Sequence, residues 1–347
     1  MLRACVIGCG RMGATIDDEI RGHPTRTPTL PWAHAAGFAE SDRAELTAVS
    51  DVDPEKAERI RERYGAKRSY LDYREMILTE KPDIVSIATR PGPHAEMTVF
   101  AAENGVKGIY CEKPLCCSME EADAMVEAVE RSGAKFNYGV NRRYTPLFRK
   151  MRRMIEEGAV GNVQACIAFC GVGSAMWSHT HAADLLLNMA QDSEVSYAQG
   201  ALRWAESDWD GNTLRTDPGV EMGYARFKNG VHGYFTAASG YEFEVSGTKG
   251  KLRTHNDYST LEWRTYDQWS VLQRQELEPI PAQSPTLNLI AELADAVEND
   301  GETTGNIQVA RRSQEIMFGL VESSRLGGVP VPFPLENRGL RVMRDGW

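Results

Sequence analysis

A glycine cluster close to the start of the chain restricts the fold more than any other feature. The apolar run LRACVI at residues 2–7 leads directly into the sequence GCGRMG, which contains Gly8, Gly10 and Gly13. Glycines at this spacing, between an apolar run and a helical pattern, indicate the turn from a parallel strand into its crossover helix. Gly8 permits the tight bend, Gly10 lets the backbone approach a pyrophosphate, and Gly13 allows close packing of the helix. The chain is therefore predicted to begin with a dinucleotide-binding βαβ unit.

Strand and helix patterns alternate through the first part of the chain. Apolar runs lie at 45–51, 82–90, 106–114 and 134–143. Helical patterns separate them, and Ser118 followed by Glu121 is a capping-box signature at the start of one. Short and almost continuously apolar strands that alternate with helices indicate a parallel sheet covered on both faces. We predict an α/β protein in which residues 1–140 form a doubly wound Rossmann domain.

An acidic residue at the end of the second predicted strand is expected to bind the adenosine ribose. Asp51 ends the run ELTAVSD, but it lies much further after Gly13 than the usual ~20 residues. Residues 19–33 contain three prolines, a glycine and several threonines, so we interpret them as a loop inserted into the first crossover. Because a carboxylate repels a 2′-phosphate, Asp51 favours NAD over NADP.

Charge and composition exclude several classes of partner. The formal net charge of −10 argues against a nucleic acid or an anionic membrane surface. No apolar run approaches the roughly 20 residues needed to span a bilayer, and glycine interrupts the N-terminal run before a signal-peptide core forms. The seven cysteines form no CxxC pair and are odd in number. This favours reduced thiols in a cytoplasmic enzyme over a zinc ribbon or a disulfide framework.

Further motifs follow the glycine cluster in a fixed order. They are SDVDPEKAERI, TRPGPHAEM, CEKPL, NRRYTP, GAVGNV and FEVSGTKGKLR. With these motifs the chain resembles the Gfo/Idh/MocA oxidoreductases, the relatives of glucose-fructose oxidoreductase and inositol dehydrogenase, over nearly its whole length. The resemblance implies that residues 141–347 form an α/β domain with a large open, mainly antiparallel sheet. It also implies a homodimer or homotetramer that uses NAD to oxidise a secondary alcohol of a sugar, sugar derivative or cyclitol.

The pattern of the second half agrees with this architecture. Strand-like runs without intervening helices lie at 163–172, 219–228, 230–239, 241–247 and 259–266. Helical patterns follow near 285–298 and 306–325. Runs of strands followed by helices indicate an antiparallel sheet with its helices on one side.

Polar residues at the carboxyl ends of parallel strands are candidates for the site, since open sheets bind ligands there. The predicted cofactor contacts are Gly8, Gly10, Arg11, Met12, Gly13, Asp51, Thr89, His94 and Glu112. Lys113, in the EKP motif, is expected where nicotinamide and substrate meet. Its ammonium can stabilise the alkoxide that develops as hydride leaves, and burial would lower its pKa. The resemblance also leads us to expect a cis bond between Lys113 and Pro114.

The stretch WSHTHAAD, residues 177–184, is predicted to supply the acid–base group. The resembling family has Asp-x-Gly-x-His-x-x-Asp here, so His181 and Asp184 are retained, whereas Trp177 and His179 replace the aspartate and the glycine. An imidazole of near-neutral pKa can take the hydroxyl proton as hydride departs, which makes His181 the predicted catalytic partner of the lysine. Asp184 is expected to orient that ring or to cap a backbone group. Both histidines and Asp184 could chelate a metal, but without a second His/Cys cluster no metal is predicted.

Predicted substrate contacts extend beyond the two catalytic residues. They are Lys113, Asn141, Arg142, Tyr144, Trp177, His179 and Asp184. An arginine of the NRRY motif would bind hydroxyls or an anionic group, with a domain-interface salt bridge as the alternative. The aromatic face of Trp177 would stack on a sugar ring.

Two rival functions remain open at this point. One is an NAD-dependent, redox-neutral glycosidase that oxidises, eliminates, hydrates and reduces, with His179 or Tyr144 as a second base. The other is a non-catalytic dinucleotide-binding sensor, suggested by the missing aspartate at position 177, because a fold alone does not guarantee activity.

Overall fold

A six-stranded parallel sheet forms the N-terminal part of the molecule. The computed structural model describes residues 1–344 and 346–347. The strands are β1 (Leu2–Ile7), β2 (Ala44–Ser50), β3 (Arg68–Tyr70), β4 (Ile84–Ile87), β5 (Gly108–Glu112) and β6 (Lys135–Gly139). Their order is β3-β2-β1-β4-β5-β6, and each adjacent pair is parallel. This is the dinucleotide-binding strand order, so the predicted doubly wound Rossmann sheet is confirmed.

Helices cover this sheet, and α6 begins at the predicted Ser118 cap. They are α1 (Ile16–Ile20), α2 (His34–Glu40), α3 (Pro54–Tyr64), α4 (Tyr73–Glu80), α5 (His94–Glu103) and α6 (Met119–Ser132). At the start of α6 the backbone N–H of Glu121 donates to the Ser118 hydroxyl at 3.2 Å. At its end Gly133 adopts a φ of 72°, the left-handed conformation that closes many helices.

A loop interrupts the first crossover, as the spacing predicted. The glycine turn leads into a π-helical turn over Arg11–Thr15 and the short helix α1, and residues 21–33 then intervene before α2. The Asp17 carboxylate accepts the backbone N–H groups of Trp32 at 2.8 Å and Ala33 at 3.0 Å. These bonds tie the far end of the loop back to α1 and fix its course beside the sheet.

A nine-stranded sheet dominates the C-terminal part. The remaining strands are β7 (Val163–Phe169), β8 (Val195–Arg203), β9 (Trp209–Asp210), β10 (Thr213–Leu214), β11 (Gly219–Phe227), β12 (His232–Thr236), β13 (Glu242–Gly247), β14 (Gly250–His255), β15 (Thr260–Tyr266), β16 (Leu272–Gln275), β17 (Val331–Pro332) and β18 (Arg341–Val342). The order is β16-β15-β14-β13-β7-β12-β11-β8-β17, and β7 with β12 is the parallel pair. The predicted large, mainly antiparallel sheet is confirmed. Strands β18, β10 and β9 form a small separate sheet.

Four helices accompany the second sheet, and two of them return to the first. They are α7 (Pro146–Glu156), α8 (Thr180–Met189), α9 (Pro285–Asn299) and α10 (Ile307–Arg325). A Cβ on Gly108 of β5 would lie 2.9 Å from Val297 of α9. The backbone N–H of Leu115 donates to the Gln314 side chain of α10 at 3.0 Å. The predicted boundary after residue 140 thus follows β6, while the C-terminal helices join both halves.

The cysteines and the helices relate to two predictions from the sequence, namely reduced thiols and the lack of a membrane-spanning segment. All seven cysteines are free thiols, six of them buried and Cys170 half-buried. Among the described residues, no helix has both the length and the apolar character needed to cross a membrane.

Candidate active site

A cavity of about 660 Å³ opens at the carboxyl ends of β1, β2, β4 and β5. Most of the predicted cofactor residues line it, namely Gly8, Gly10, Arg11, Met12, Asp51, Thr89 and Glu112. Lys113 and Trp177 lie on its wall as well. The strand ends therefore bring residues from distant parts of the sequence to one edge of the sheet, where ligands of such sheets bind.

The glycine turn has the shape that a dinucleotide pyrophosphate requires. Gly8 has a φ of +94°, and a Cβ there would lie 2.8 Å from the carbonyl oxygen of Ala88. A Cβ on Gly13 would overlap the carbonyl of Gly8, so this glycine serves close packing. Around Gly10 no atom lies within 4 Å of the place a Cβ would take, which leaves its backbone open to the cavity. These residues fit a bound dinucleotide.

Asp51 closes the turn and presents its carboxylate at the cavity wall. One oxygen accepts the backbone N–H of Cys9 at 2.8 Å, and the other accepts that of Asp53 at 3.0 Å. The side chain is 11% exposed, and the ammonium of Lys56 lies 3.9 Å away. This placement suits contact with ribose hydroxyls and disfavours an added phosphate, because two anions would meet.

His94 does not reach the cavity, which corrects the prediction that it contacts the cofactor. Its fully buried ring places Nδ1 3.0 Å from the carbonyl of Pro114 and Nε2 3.2 Å from that of Thr89. The ring thus connects the turns that follow β4 and β5 behind the cavity wall. Burial lowers the pKa of His94, so the ring is neutral and supports the wall without a charge.

A second cavity of about 700 Å³ lies between the two halves of the molecule. It shares Arg11, Met12, Glu112, Lys113 and Trp177 with the first cavity. Asn141, Arg142 and His181 line it too, as does part of the inserted loop at 23–26. Ligands held in the two cavities would therefore meet at Lys113 and Trp177.

Lys113 stands at the junction of both cavities. Its Nζ donates to the carbonyl of Trp177 at 3.2 Å and lies 3.9 Å from the centroid of the indole ring. The Lys113–Pro114 bond is cis, as expected. Burial and the charges of Arg142 and Arg11 lower the pKa of Lys113, although Glu112 acts against them.

His181 faces Lys113 from the second domain. It is the second residue of α8 and lines the interdomain cavity. Its buried Nδ1 has no hydrogen-bond partner among the described residues. Burial, followed by the charges of Arg142, Lys113 and Arg26, holds the pKa of His181 well below its usual range. The ring is therefore neutral at neutral pH and can accept a proton.

Arg142 and Asn141, two of the predicted substrate contacts, lie on the wall of the interdomain cavity. The Arg142 guanidinium makes a two-pronged ion pair with Asp257, with N–O distances of 2.8 and 2.7 Å, and lies 4.3 Å from the ring centroid of Tyr241. Asn141 accepts a hydrogen bond from the Tyr110 hydroxyl at 3.3 Å. Arg142 is thus both a cavity residue and half of an ion pair that ties the segment after β6 to the turn between β14 and β15.

Asp184 lies in the interior, which corrects the prediction that it contacts substrate or orients His181. Its carboxylate is fully buried and binds the Arg143 guanidinium, with Oδ1 2.8 Å from one terminal nitrogen and 3.0 Å from Nε. Arg143 is 2% exposed and also donates to the carbonyl of Thr304 at 3.0 Å. A buried carboxylate requires such a counter-charge, and this need determines where Asp184 points.

Tyr144 and His179 also lie away from the cavity, which corrects two further predicted substrate contacts. The Tyr144 hydroxyl is fully buried and donates to Asn137 and to the carbonyl of Tyr138. His179 is 1% exposed, and its Nδ1 lies 3.3 Å from the carbonyl of Ser174. Both side chains pack into the core because their helical turns present other residues to the cavity.

Comparison with known proteins decides the family. Residues 2–140 match the Gfo/Idh/MocA family, described as an oxidoreductase family with an NAD-binding Rossmann fold. The N-terminal domain of the chain belongs to the Gfo/Idh/MocA oxidoreductases. The predicted family and the predicted NAD cofactor are confirmed.

Several characterised proteins are similar to this oxidoreductase. It is 26% identical to myo-inositol 2-dehydrogenase of Thermotoga maritima over 74% of this chain and 75% of that protein. It is 38% identical to levoglucosan dehydrogenase of Pseudarthrobacter phenanthrenivorans over 38% of this chain and 32% of that protein, so this match spans about a third of each. A solved levoglucosan dehydrogenase with NADH and levoglucosan superposes with a TM-score of 0.76 at 23% identity, covering 95% of this chain and 99% of that one. That likeness shows a shared fold.

Asp217 is a site residue of the oxidoreductase that sequence reasoning missed. Its carboxylate accepts the backbone N–H groups of Met176 at 2.7 Å and Trp177 at 2.9 Å. It therefore fixes the turn whose carbonyl receives the Lys113 ammonium. Asp217 is 40 positions from Trp177 and belongs to no motif, so only the folded chain reveals the contact.

A buried histidine beneath Lys113 was also missed. His34 at the start of α2 is fully buried, with Nε2 3.2 Å from the Glu112 carboxylate and Nδ1 2.5 Å from the Ser86 hydroxyl. The other carboxylate oxygen of Glu112 accepts the backbone N–H of Lys113 at 3.1 Å. This chain of contacts fixes Glu112 and, through it, the backbone at Lys113. In the sequence His34 is only one residue of an alanine-rich helix, so no local signal marks it.

The three polar residues of the HTHAAD segment diverge in the oxidoreductase. His181 faces the cavity, His179 packs in the core, and Asp184 binds Arg143. Over residues 1–344 and 346–347, no group of three or more His, Cys, Asp or Glu side chains is arranged to hold a metal ion.

Proposed function

We propose that this oxidoreductase uses NAD to oxidise a secondary alcohol of a sugar, sugar derivative or cyclitol. The observation that carries the proposal is the junction at Lys113, which lines the glycine-walled cavity and also faces His181 across the interdomain cavity. The relatives named myo-inositol 2-dehydrogenase and levoglucosan dehydrogenase support the class of substrate.

Each side chain at the junction has a distinct part in this chemistry. NAD, when bound, accepts the hydride from the alcohol carbon. The Lys113 ammonium donates a hydrogen bond to the alcohol oxygen and stabilises its growing negative charge. The neutral imidazole of His181 accepts the hydroxyl proton. Trp177 offers a flat apolar face to the ring carbons of the substrate.

The structure gives less support to the two rival functions. A redox-neutral glycosidase needs a second base, and both residues considered for that role, His179 and Tyr144, lie in the core. A sensor without catalysis needs neither a proton acceptor nor a lysine at the junction, whereas this cavity contains both.

Nicotinamide reduction tests the proposal directly. The purified protein is mixed with NAD and a panel of cyclitols, anhydrosugars, hexoses and hexuronates, and NADH is followed by absorbance. We expect NADH to accumulate with at least one compound. Release of phenol from an aryl glycoside that requires NAD but accumulates no NADH would assign the protein to the glycosidase class. Calorimetric binding of NAD without turnover of any compound would assign it to the sensors.

A further inference from the structure

The interdomain cavity carries an excess of positive charge. Its charged lining residues are the cations Arg11, Arg26, Lys113 and Arg142 and the carboxylates Glu112 and Asp257. The chain as a whole has a formal net charge of −10. A cationic cavity in an acidic protein concentrates anions at that place and not elsewhere on the surface.

Most of these charges already have a partner within the protein. Arg142 binds Asp257, and the Nε of Arg11 lies 2.7 Å from the Glu19 carboxylate. Glu112 is held by His34 and by the backbone of Lys113. Neither carboxylate of the lining is therefore free to neutralise a further cation.

Arg26 is the exception among the lining cations away from the catalytic junction. Over the described residues, no carboxylate oxygen lies within the 4.0 Å of an ion pair, and the guanidinium lies 5.5 Å from the ring centroid of Trp32. Arg26 and His181 line the same cavity, and the charge of Arg26 contributes to the low pKa of His181. An arginine that has no counter-ion and lies on the wall of a partly desolvated cavity is suited to bind an anionic ligand.

The inserted loop places Arg26 in the cavity. The loop at 21–33 lies outside the regular βαβ crossover, and its residues 23–26 form part of the cavity wall. Asp17 fastens the end of the loop through the backbone at Trp32. The insertion that lengthens the first crossover thus adds a cation to the substrate side of the site.

We propose that the substrate is a sugar acid whose carboxylate pairs with Arg26 while its reacting hydroxyl lies between Lys113 and His181. This inference rests on the proposed function. A guanidinium binds a carboxylate through two parallel hydrogen bonds, so it both attracts the anion and orients it. The carboxylate takes no part in the oxidation, in which the carbon loses a hydride to NAD and the hydroxyl loses its proton to His181.

Matched neutral and acidic sugars test the substrate class. Initial rates of NADH formation are compared for D-glucose with D-glucuronate and for D-galactose with D-galacturonate, with glucose 6-phosphate as a second anion. We expect kcat/KM to be at least about 10-fold higher for the acid of one pair. Added salt should raise KM for that acid, because ions screen a charge pair, and should leave KM for the neutral sugar nearly constant.

Variants of the inserted loop test whether Arg26 causes the preference for the acidic sugar. Arg26→Gln should lower the ratio of acid to neutral kcat/KM by about 10- to 100-fold, and Arg26→Lys, which keeps the charge, should retain part of it. Arg21→Gln is the matched control, since Arg21 belongs to the same loop, is 74% exposed and does not line the cavity. Thermal melting of all three variants should match the wild type.

Contrary outcomes are distinct from a failure of the proposed function. NADH formation from neutral sugars alone, or an equal loss on both members of a pair in Arg26→Gln, overturns the sugar-acid proposal while the oxidoreductase proposal stands. A preference for glucose 6-phosphate would show that Arg26 binds a phosphate group, and it would overturn the proposal that Arg26 binds a carboxylate. If no compound is oxidised, the proposed function fails. The anion site is then tested separately by calorimetry, which measures the binding of glucuronate to the NADH-loaded protein. The sugar-acid proposal requires that this binding is weaker in Arg26→Gln than in the wild type.

Discussion

Lys113 and His181 reach the same cavity from different halves of the chain, one at the end of β5 and the other at the start of α8. Lys113→Ala should lower kcat about 100- to 1000-fold, because the developing alkoxide loses its hydrogen-bond donor. Lys107→Ala is the control, since this lysine precedes the same strand and is 64% exposed. Steady-state kinetics of both variants check this, and a loss below about 10-fold in Lys113→Ala would contradict the assigned role.

The environment of His181 determines how activity depends on pH. An imidazole with a pKa well below 6.5 stays neutral as the pH falls through that value and loses its ability to accept a proton only at lower pH. We expect kcat/KM to keep its plateau as the pH falls through 6.5 and to decrease only at lower pH. A pH profile in buffers of constant ionic strength measures the midpoint. A midpoint at or above pH 6.5 would show that the ring is not held in its neutral form.

The start of α8 is fixed to the segment that follows β6 by a buried ion pair. Arg143 follows β6, and Asp184 lies one turn into α8, with neither side chain more than 2% exposed. Arg143→Met should lower the free energy of unfolding by about 3–5 kcal/mol, because it leaves a buried carboxylate without its counter-charge. The double variant Arg143→Met/Asp184→Leu should recover most of that loss. Urea denaturation of the three proteins tests the pair, and equal stability of both variants would contradict it.

Helices and strands differed in how well the sequence predicted them. The start of helix α6 was recognised from the Ser118 cap, which acts on a backbone group a few positions away. The strand β8 was not recognised, since Gly200 interrupts its apolar alternation. A Cβ on Gly200 would lie 3.0 Å from the Leu320 carbonyl of α10. That glycine is required by the approach of a distant helix, which no local pattern reports.

Among the residues that the structure describes, no helix covers one face of the large sheet. Alternate residues of β8 and β11 are buried beneath α10, whereas the opposite face is half-exposed and carries Tyr197, Tyr224, His232 and Tyr234 in mutual ring contact. We expect this face to pair with a second copy of the chain, giving the predicted homodimer or homotetramer, because broad aromatic surfaces favour burial.

Light scattering tests this expectation. The wild type should show the mass of two or four chains, and Tyr234→Lys should shift the population toward the monomer, since it places a charge on the 38% exposed tyrosine. Tyr266→Lys, at a similarly exposed tyrosine near the edge strand β16, is the control. A monomeric wild type would contradict the assembly.

Local spacing alone was sufficient to predict the glycine turn, the parallel sheet and the NAD preference. Each of these depends either on residues a few positions apart or on strand ends that meet at one edge of the parallel sheet. Packing in three dimensions determined which polar side chains face the interdomain cavity. It turned Tyr144, His179 and Asp184 inward, since buried polar groups must find partners. It also brought Asp217 to Trp177 and Arg26 to the cavity wall, through contacts between segments that no motif connects.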